Sequence, residues 1–123
     1  MAGRNYRDLK AWQKAIDLVQ AVYEASATWP ASELYGLTAQ ARRAAVSIPA
    51  NIAEGQGRRT AGDFARHLNI AHGSLRELET HFVIANRLGY CGEPALAAIL
   101  EACAEVGRLV TGLLNYAIDA RQH

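Results

Sequence analysis

Gln40, Arg43, Ser47, Asn51 and Glu54 recur at intervals of 3, 4, 4 and 3 residues. On a helix this spacing lines all five along one side, flanking an apolar stripe. Two readings fit the row. One is a solvated helix face. The other is a polar seam at a subunit boundary, in which Arg43 pairs with a carboxylate; Glu54, Glu77 and Glu79 are the candidates. A half-buried seam of that kind fixes register more than it adds stability.

Cationic side chains make a second set. Arg4, Arg7, Lys10 and Lys14 are spaced 3, 3 and 4, and Arg58-Arg59 follow the run Gly55-Gln56-Gly57. Arg42, Arg43, Arg66, His67 and Arg76 supply more. Phosphates reward such charge whatever the base sequence, so Arg7, Lys10, Lys14, Arg58 and Arg59 are the candidate contacts to RNA or DNA. The competing reading is ordinary solubilising charge. With 13 basic and 12 acidic residues the net charge is +1, which excludes a strong global attraction to nucleic acid or anionic membrane. A patch must then be local, and repetition around a ring would multiply it. The segment Gly55 to Arg59 can cradle an anion at a helix start. It is not a P-loop, since the lysine-serine/threonine ending and the preceding strand are missing.

Metal and nucleophilic chemistry find little support. His67, His72 and His81 are spaced 5 and 9, and neither interval stacks its pair on one helix face. No glutamate has a histidine three residues later, as a di-iron bundle requires, and no Cys/His spacing suits zinc. No metal and no cofactor are expected. Ser47, Ser74, Cys91 and Cys103 lack a neighbouring histidine or a nucleophile elbow. The chain reads as non-enzymatic, although a triad assembled in space stays open.

The elements that must carry these residues are helices. Alanine makes up about a fifth of the 123 residues, favouring helix and close helix approach, and no alternating β-branched run appears. The expected helices cover about 8–28, 33–55, 60–88 and 93–120 of one domain, 1–123. The first opens on Asp8 as cap, with a core stripe Leu9, Trp12, Ile16, Val19 and Tyr23. The second has Leu37, Ala41, Ala44, Ile48 and Ile52, with Pro49 inside and a glycine stop at Gly55 to Gly57. The third opens on Thr60 and Asp63, repeats Phe64, Leu68, Ala71, Leu75, Leu78, Phe82 and Ala85, and stops at Gly89. The fourth has Pro94 in its first turn, then Leu96, Ile99, Cys103, Val106, Val110, Leu113 and Ala117. Spacing near 3.5 predicts left-handed bundle packing. Short connections make sequential helices antiparallel neighbours. The expected fold is all-α, an antiparallel up-down four-helix bundle.

Apolar residues remain over: Leu18 and Val22, then Ile70, Val83, Ile84 and Leu88, then Leu100, Leu109, Leu114 and Ile118. A surplus of this size predicts self-association. The first ten residues lack the apolar run of a signal peptide, and no run reaches membrane-spanning length. A cytoplasmic protein with two reduced, buried cysteines is expected.

Family resemblance adds to this reading. Tyr6-Arg7-Asp8-Leu9-Lys10, then Trp12-Gln13-Lys14-Ala15, Glu33-Leu34-Tyr35-Gly36-Leu37-Thr38 and Gln40 to Arg43 resemble the small bacterial four-helix-bundle proteins encoded in intervening sequences of 23S rRNA genes. The likeness continues through Ala44-Ala45-Val46-Ser47-Ile48-Pro49-Ala50-Asn51-Ile52-Ala53-Glu54-Gly55. It resumes at Asn69-Ile70-Ala71, Gly73-Ser74, Glu77-Leu78-Glu79 and Leu88-Gly89-Tyr90. The resemblance implies a homopentamer with no established enzymatic activity. It also implies kinship with the accessory protein of diversity-generating retroelements, which partners a reverse transcriptase and binds nucleic acid through a basic surface. That relative is strongly basic, whereas this chain is nearly neutral.

Overall fold

The computed structural model describes residues 5–122, with side chains to residue 120; Arg4 of the basic row lies outside the described residues. Asn5 Oδ1 accepts from Arg7 N at 2.9 Å and starts a 3-10 turn over Tyr6–Asp8. The helix α1, Lys10–Ser26, then begins from Leu9 in extended geometry with no side-chain cap. Asp8 therefore does not cap α1. Gln13 Nε2 instead donates to Arg7 O at 2.8 Å and ties the start to the turn before it.

The core face of α1 differs from the expected stripe. Ala11, Ala15, Leu18, Val22 and Ser26 are buried, together with Leu9, while Ile16 is 39% and Tyr23 44% exposed. Trp12 and Val19 are half-buried against the core edge. The two stripes are offset by one residue, about 100° around the helix. Small side chains decide between them: Ala11 and Ala15 let α1 approach its neighbours closely, which turns the bulkier residues aside. Ser26 is buried at no hydrogen-bonding loss because its hydroxyl donates to Val22 O at 2.7 Å.

After Trp29 and Pro30 a 3-10 turn covers Ala31–Glu33, and α2 runs Leu37–Gln56, starting four residues later than expected. Glu33 Oε1 accepts from Leu37 N at 3.1 Å, a cap supplied from outside the helix. Ala41, Ala44, Ile48 and Ile52 are buried as the spacing predicts, and Pro49 is buried inside the helix. The stop at Gly57 is right-handed, with φ −81°, so the expected left-handed cap at Gly55 to Gly57 is not used.

Thr60 Oγ1 accepts from Asp63 N at 3.1 Å and opens α3, Ala61–Arg87. All seven residues of its predicted stripe are buried. Its end is a Schellman motif: Gly89 sits at φ +82°, Gly89 N donates to Asn86 O at 3.0 Å and Tyr90 N to Ala85 O at 2.8 Å. The last helix, α4, spans Glu93–Gln122. Each helix packs mainly on two neighbours: α1 on α2 and α4, α2 on α3, and α3 on α4. Trp29 closes one end of the core against Phe82, ring centroids 5.1 Å apart. No strand occurs among the described residues, and no described helix is long and apolar enough to cross a membrane.

Candidate functional site

The polar row on α2 turns its middle inward, toward α3 of the same chain. Gly55 makes this possible, since a Cβ there would stand 2.7 Å from His67 Cβ and 3.1 Å from Phe64 Cδ1. The helices touch at this point, and a continuous hydrogen-bonded seam runs away from it. Asn51 Nδ2 donates to Ser47 O at 2.9 Å and Ser47 Oγ at 3.1 Å. The hydroxyls of Ser47 and Ser74 lie 2.8 Å apart. Asn51 Oδ1 is left as an acceptor, 3.0 Å from His67 Nδ1. His67 is only 4% exposed.

The pattern assigns the proton of His67 to Nδ1. Its Nε2 then accepts from Arg66 Nη2 at 3.3 Å, because a guanidinium can only donate. Glu54 Oε1 takes Arg58 Nη2 at 2.8 Å and lies 3.9 Å from His67 Nε2. Of the row, Ser47 and Asn51 thus belong to a seam between α2 and α3, Glu54 lies exposed at its edge and bound to Arg58, and Gln40 and Arg43 stay exposed on its outer side. Arg43 has no carboxylate partner among the described residues.

Arg43 instead lines a groove of about 710 Å³ with Tyr23, Leu34, Tyr35, Ala39, Arg42 and Val46. Tyr35 is 93% exposed, Leu34 47% and Val46 44%. Arg42 forms one wall, donating from Nε to Ser26 Oγ at 2.9 Å with its guanidinium 4.5 Å from the Tyr23 ring centre. Sequence reasoning missed this groove. It depends on the α1 register and on the fold-back of residues 31–36.

The candidate nucleic-acid contacts divide. Lys14 Nζ faces Glu105 at 3.9 Å and Arg58 is bound to Glu54. Arg7 lies over the Tyr6 ring at 5.4 Å. Lys10 and Arg59 are exposed and without an ion pair among the described residues.

Between α3 and α4 a cavity of about 440 Å³ is lined by His72, Arg76, Glu79, Cys103, Arg108 and Thr111, among others. Thr111 Oγ1 and His72 Nε2 are 3.2 Å apart. Burial, and next the Arg76 charge, hold the His72 pKa below its ordinary 6.5. Burial, and next the Glu79 carboxylate, push the Cys103 thiol up to about 12, so it is protonated and no nucleophile. Cys91 is also pushed up, by burial and then by Glu93. Ser47 bonds to Ser74 and Asn51, not to a histidine, and so lacks an activating base. Among the described residues no group of three His, Cys, Asp or Glu side chains is placed to hold a metal.

A crystal structure of a protein of unknown function from the S23 ribosomal protein family of Bacteroides thetaiotaomicron has the same fold. The TM-score is 0.76 at 21% identity, over 85% of this chain and 97% of that one. No curated protein matches the sequence. The model of the 23S rRNA-intervening sequence proteins matches residues 7–112. With four helices in place and most of its length matched, the chain belongs to the 23S rRNA-intervening sequence protein family.

Proposed function

We propose that this chain is a non-catalytic, self-assembling module: an up-down antiparallel four-helix bundle that forms a homopentamer and works in the cytoplasm. Exposed apolar surface carries the reading. Tyr35, Leu34, Val46 and Tyr23 surround one groove with little to cover them in a lone chain, and contiguous apolar surface of this kind marks association sites. Arg42 and Arg43 at its rim supply the cationic side chains that such interfaces favour. The antiparallel order is supported by residue pairings. Ser47 meets Ser74 while Asn51 meets His67, and His72 meets Thr111 while Leu75 meets Gly107. The free thiols of Cys91 and Cys103 fit a reducing compartment. Sedimentation of the wild-type chain tests the assembly: a mass five times the 13.3 kDa monomer is expected, and a monomer at micromolar concentration would refute it.

Two roles are open to such an assembly, and the net charge of +1 favours a protein-interaction scaffold. The second reading is a nucleic-acid module acting beside a reverse transcriptase. Lys10 and Arg59, exposed and without an ion pair among the described residues, support it, since a ring would repeat both charges. Binding of RNA and DNA across salt concentrations separates the two. A steep salt slope lost in Lys10→Gln/Arg59→Gln supports the nucleic-acid role, and no binding at low salt eliminates it.

A further inference from the structure

The groove between α3 and α4 is unused by the assembly reading, which rests on the α1–α2 side. Its residues are ordered along the two helices. His72 stands opposite Thr111, Arg76 lies near Gly107 and Arg108, and Glu79 is followed by Thr80, Val83 and Leu100 in an adjoining pocket of about 580 Å³. One end is therefore cationic and rich in donors, and the other is largely apolar.

We propose that this groove binds the phosphate of a phosphate monoester, held by the guanidinium groups of Arg76 and Arg108 and the hydroxyl of Thr111. Arg76 has no side-chain hydrogen bond or ion pair among the described residues. Among the described residues Arg108 is engaged only by Glu101 at 3.6 Å, with both side chains mostly exposed, a contact weak enough for an anion to displace. Donors approaching from two facing helices and a hydroxyl suit a tetrahedral dianion better than a planar carboxylate. A cavity of about 440 Å³ has room for the phosphate and part of the group it esterifies. Glu79, one turn beyond Arg76, excludes a second anion and accepts from an amine or hydroxyl on that group. Cys103 and Leu75 form part of the lining and Cys103 stays protonated. His72 reports occupancy: burial first, and then the Arg76 charge, hold its pKa down, and a bound dianion offsets the second of these.

The test titrates the full chain with inorganic phosphate, phosphoethanolamine and a short single-stranded DNA, following the His72 ring by NMR and heat by calorimetry. Phosphate is expected to raise the His72 pKa, with affinity about tenfold lower in Arg76→Gln and in Arg108→Gln. Arg87→Gln, on the exposed face of α3 outside the groove, is expected to bind as wild type. Phosphoethanolamine binding more tightly than phosphate, without competition from DNA, identifies a small monoester. DNA displacing phosphate, and losing that ability in both variants, identifies a phosphodiester backbone as the ligand and overturns the monoester assignment. An unmoved His72 at millimolar phosphate, or equal affinity in all three arginine variants, overturns the proposal. Both arginines are solvent-exposed, and unchanged thermal melting confirms that the variants fold.

Discussion

His67 Nδ1 lies 3.0 Å from Asn51 Oδ1, and this bond joins α2 to α3 where Gly55 lets the helices touch. Asn51 also donates to Ser47, so one side chain satisfies groups on both helices. Asn51→Ala strips the buried imidazole of its acceptor, and an unsatisfied buried donor costs about 1–3 kcal/mol. Chemical denaturation is expected to show a loss in that range. A change near zero would mean that water replaces the amide without penalty.

Gly55→Ala separates helix propensity from packing. On propensity alone alanine would stabilise α2 by about 1 kcal/mol. The added Cβ would stand 2.7 Å from His67 Cβ, and overpacking of this kind costs about 1–3 kcal/mol. A net loss of stability is expected. A gain would show that α2 and α3 move apart easily at this contact.

The register of α1 has its own pair of variants. Ala15 is fully buried and Ile16 is 39% exposed. Ala15→Leu is expected to destabilise by about 1–3 kcal/mol, and Ile16→Gln to stay within about 0.5 kcal/mol. The opposite ranking would restore the stripe through Ile16.

His72 shapes the acid limit of stability, and Tyr90 shares the alkaline limit with the raised thiols of Cys91 and Cys103. Burial first, then Arg76, depress the His72 pKa. The unfolded chain therefore takes up the proton first, and the contribution of His72 is full above about 6.5 and lost as pH falls through the folded value. The Tyr90 phenol donates to Glu33 Oε2 at 2.9 Å. That bond, then burial, then the Glu33 charge raise its pKa above 10. Its contribution is full below about 10 and lost as pH climbs through the folded value. Melting temperature against pH is expected to fall at both ends. Tyr90→Phe makes the alkaline limb shallower, the thiols of Cys91 and Cys103 carrying the rest, and His72→Gln makes the acid limb shallower; limbs unchanged by these variants would place the titrations elsewhere.

The stripes of α3 and α4 were legible because their apolar residues repeat at heptad-like spacing over six or more intervals, longer than any run of the leftover apolar positions beside them. On α1 two adjacent stripes share that spacing, and the choice falls to Ala11 and Ala15, whose small size matters only once neighbours are packed against them. The left-handed turn was expected at the glycine pair near Gly57 as well as at Gly89. The structure uses it at Gly89, where α3 must reverse sharply into α4. The polar row on α2 was visible as a row, yet its partners His67 and Ser74 lie 16 and 27 positions away from Asn51 and Ser47. Periodicity within one helix carries no information on what faces it. For the same reason the α3–α4 groove was invisible: His72 and Thr111 are 39 residues apart and meet only in three dimensions.

Assembly through the groove around Tyr35 is the centre of this account. The most direct measurement is the native mass of the wild-type chain beside Tyr35→Asp/Val46→Asp. A wild type at five times the 13.3 kDa chain mass, with a helical but monomeric variant, is the predicted result. A variant that keeps the wild-type mass would contradict the claim, as would a wild type that is itself monomeric.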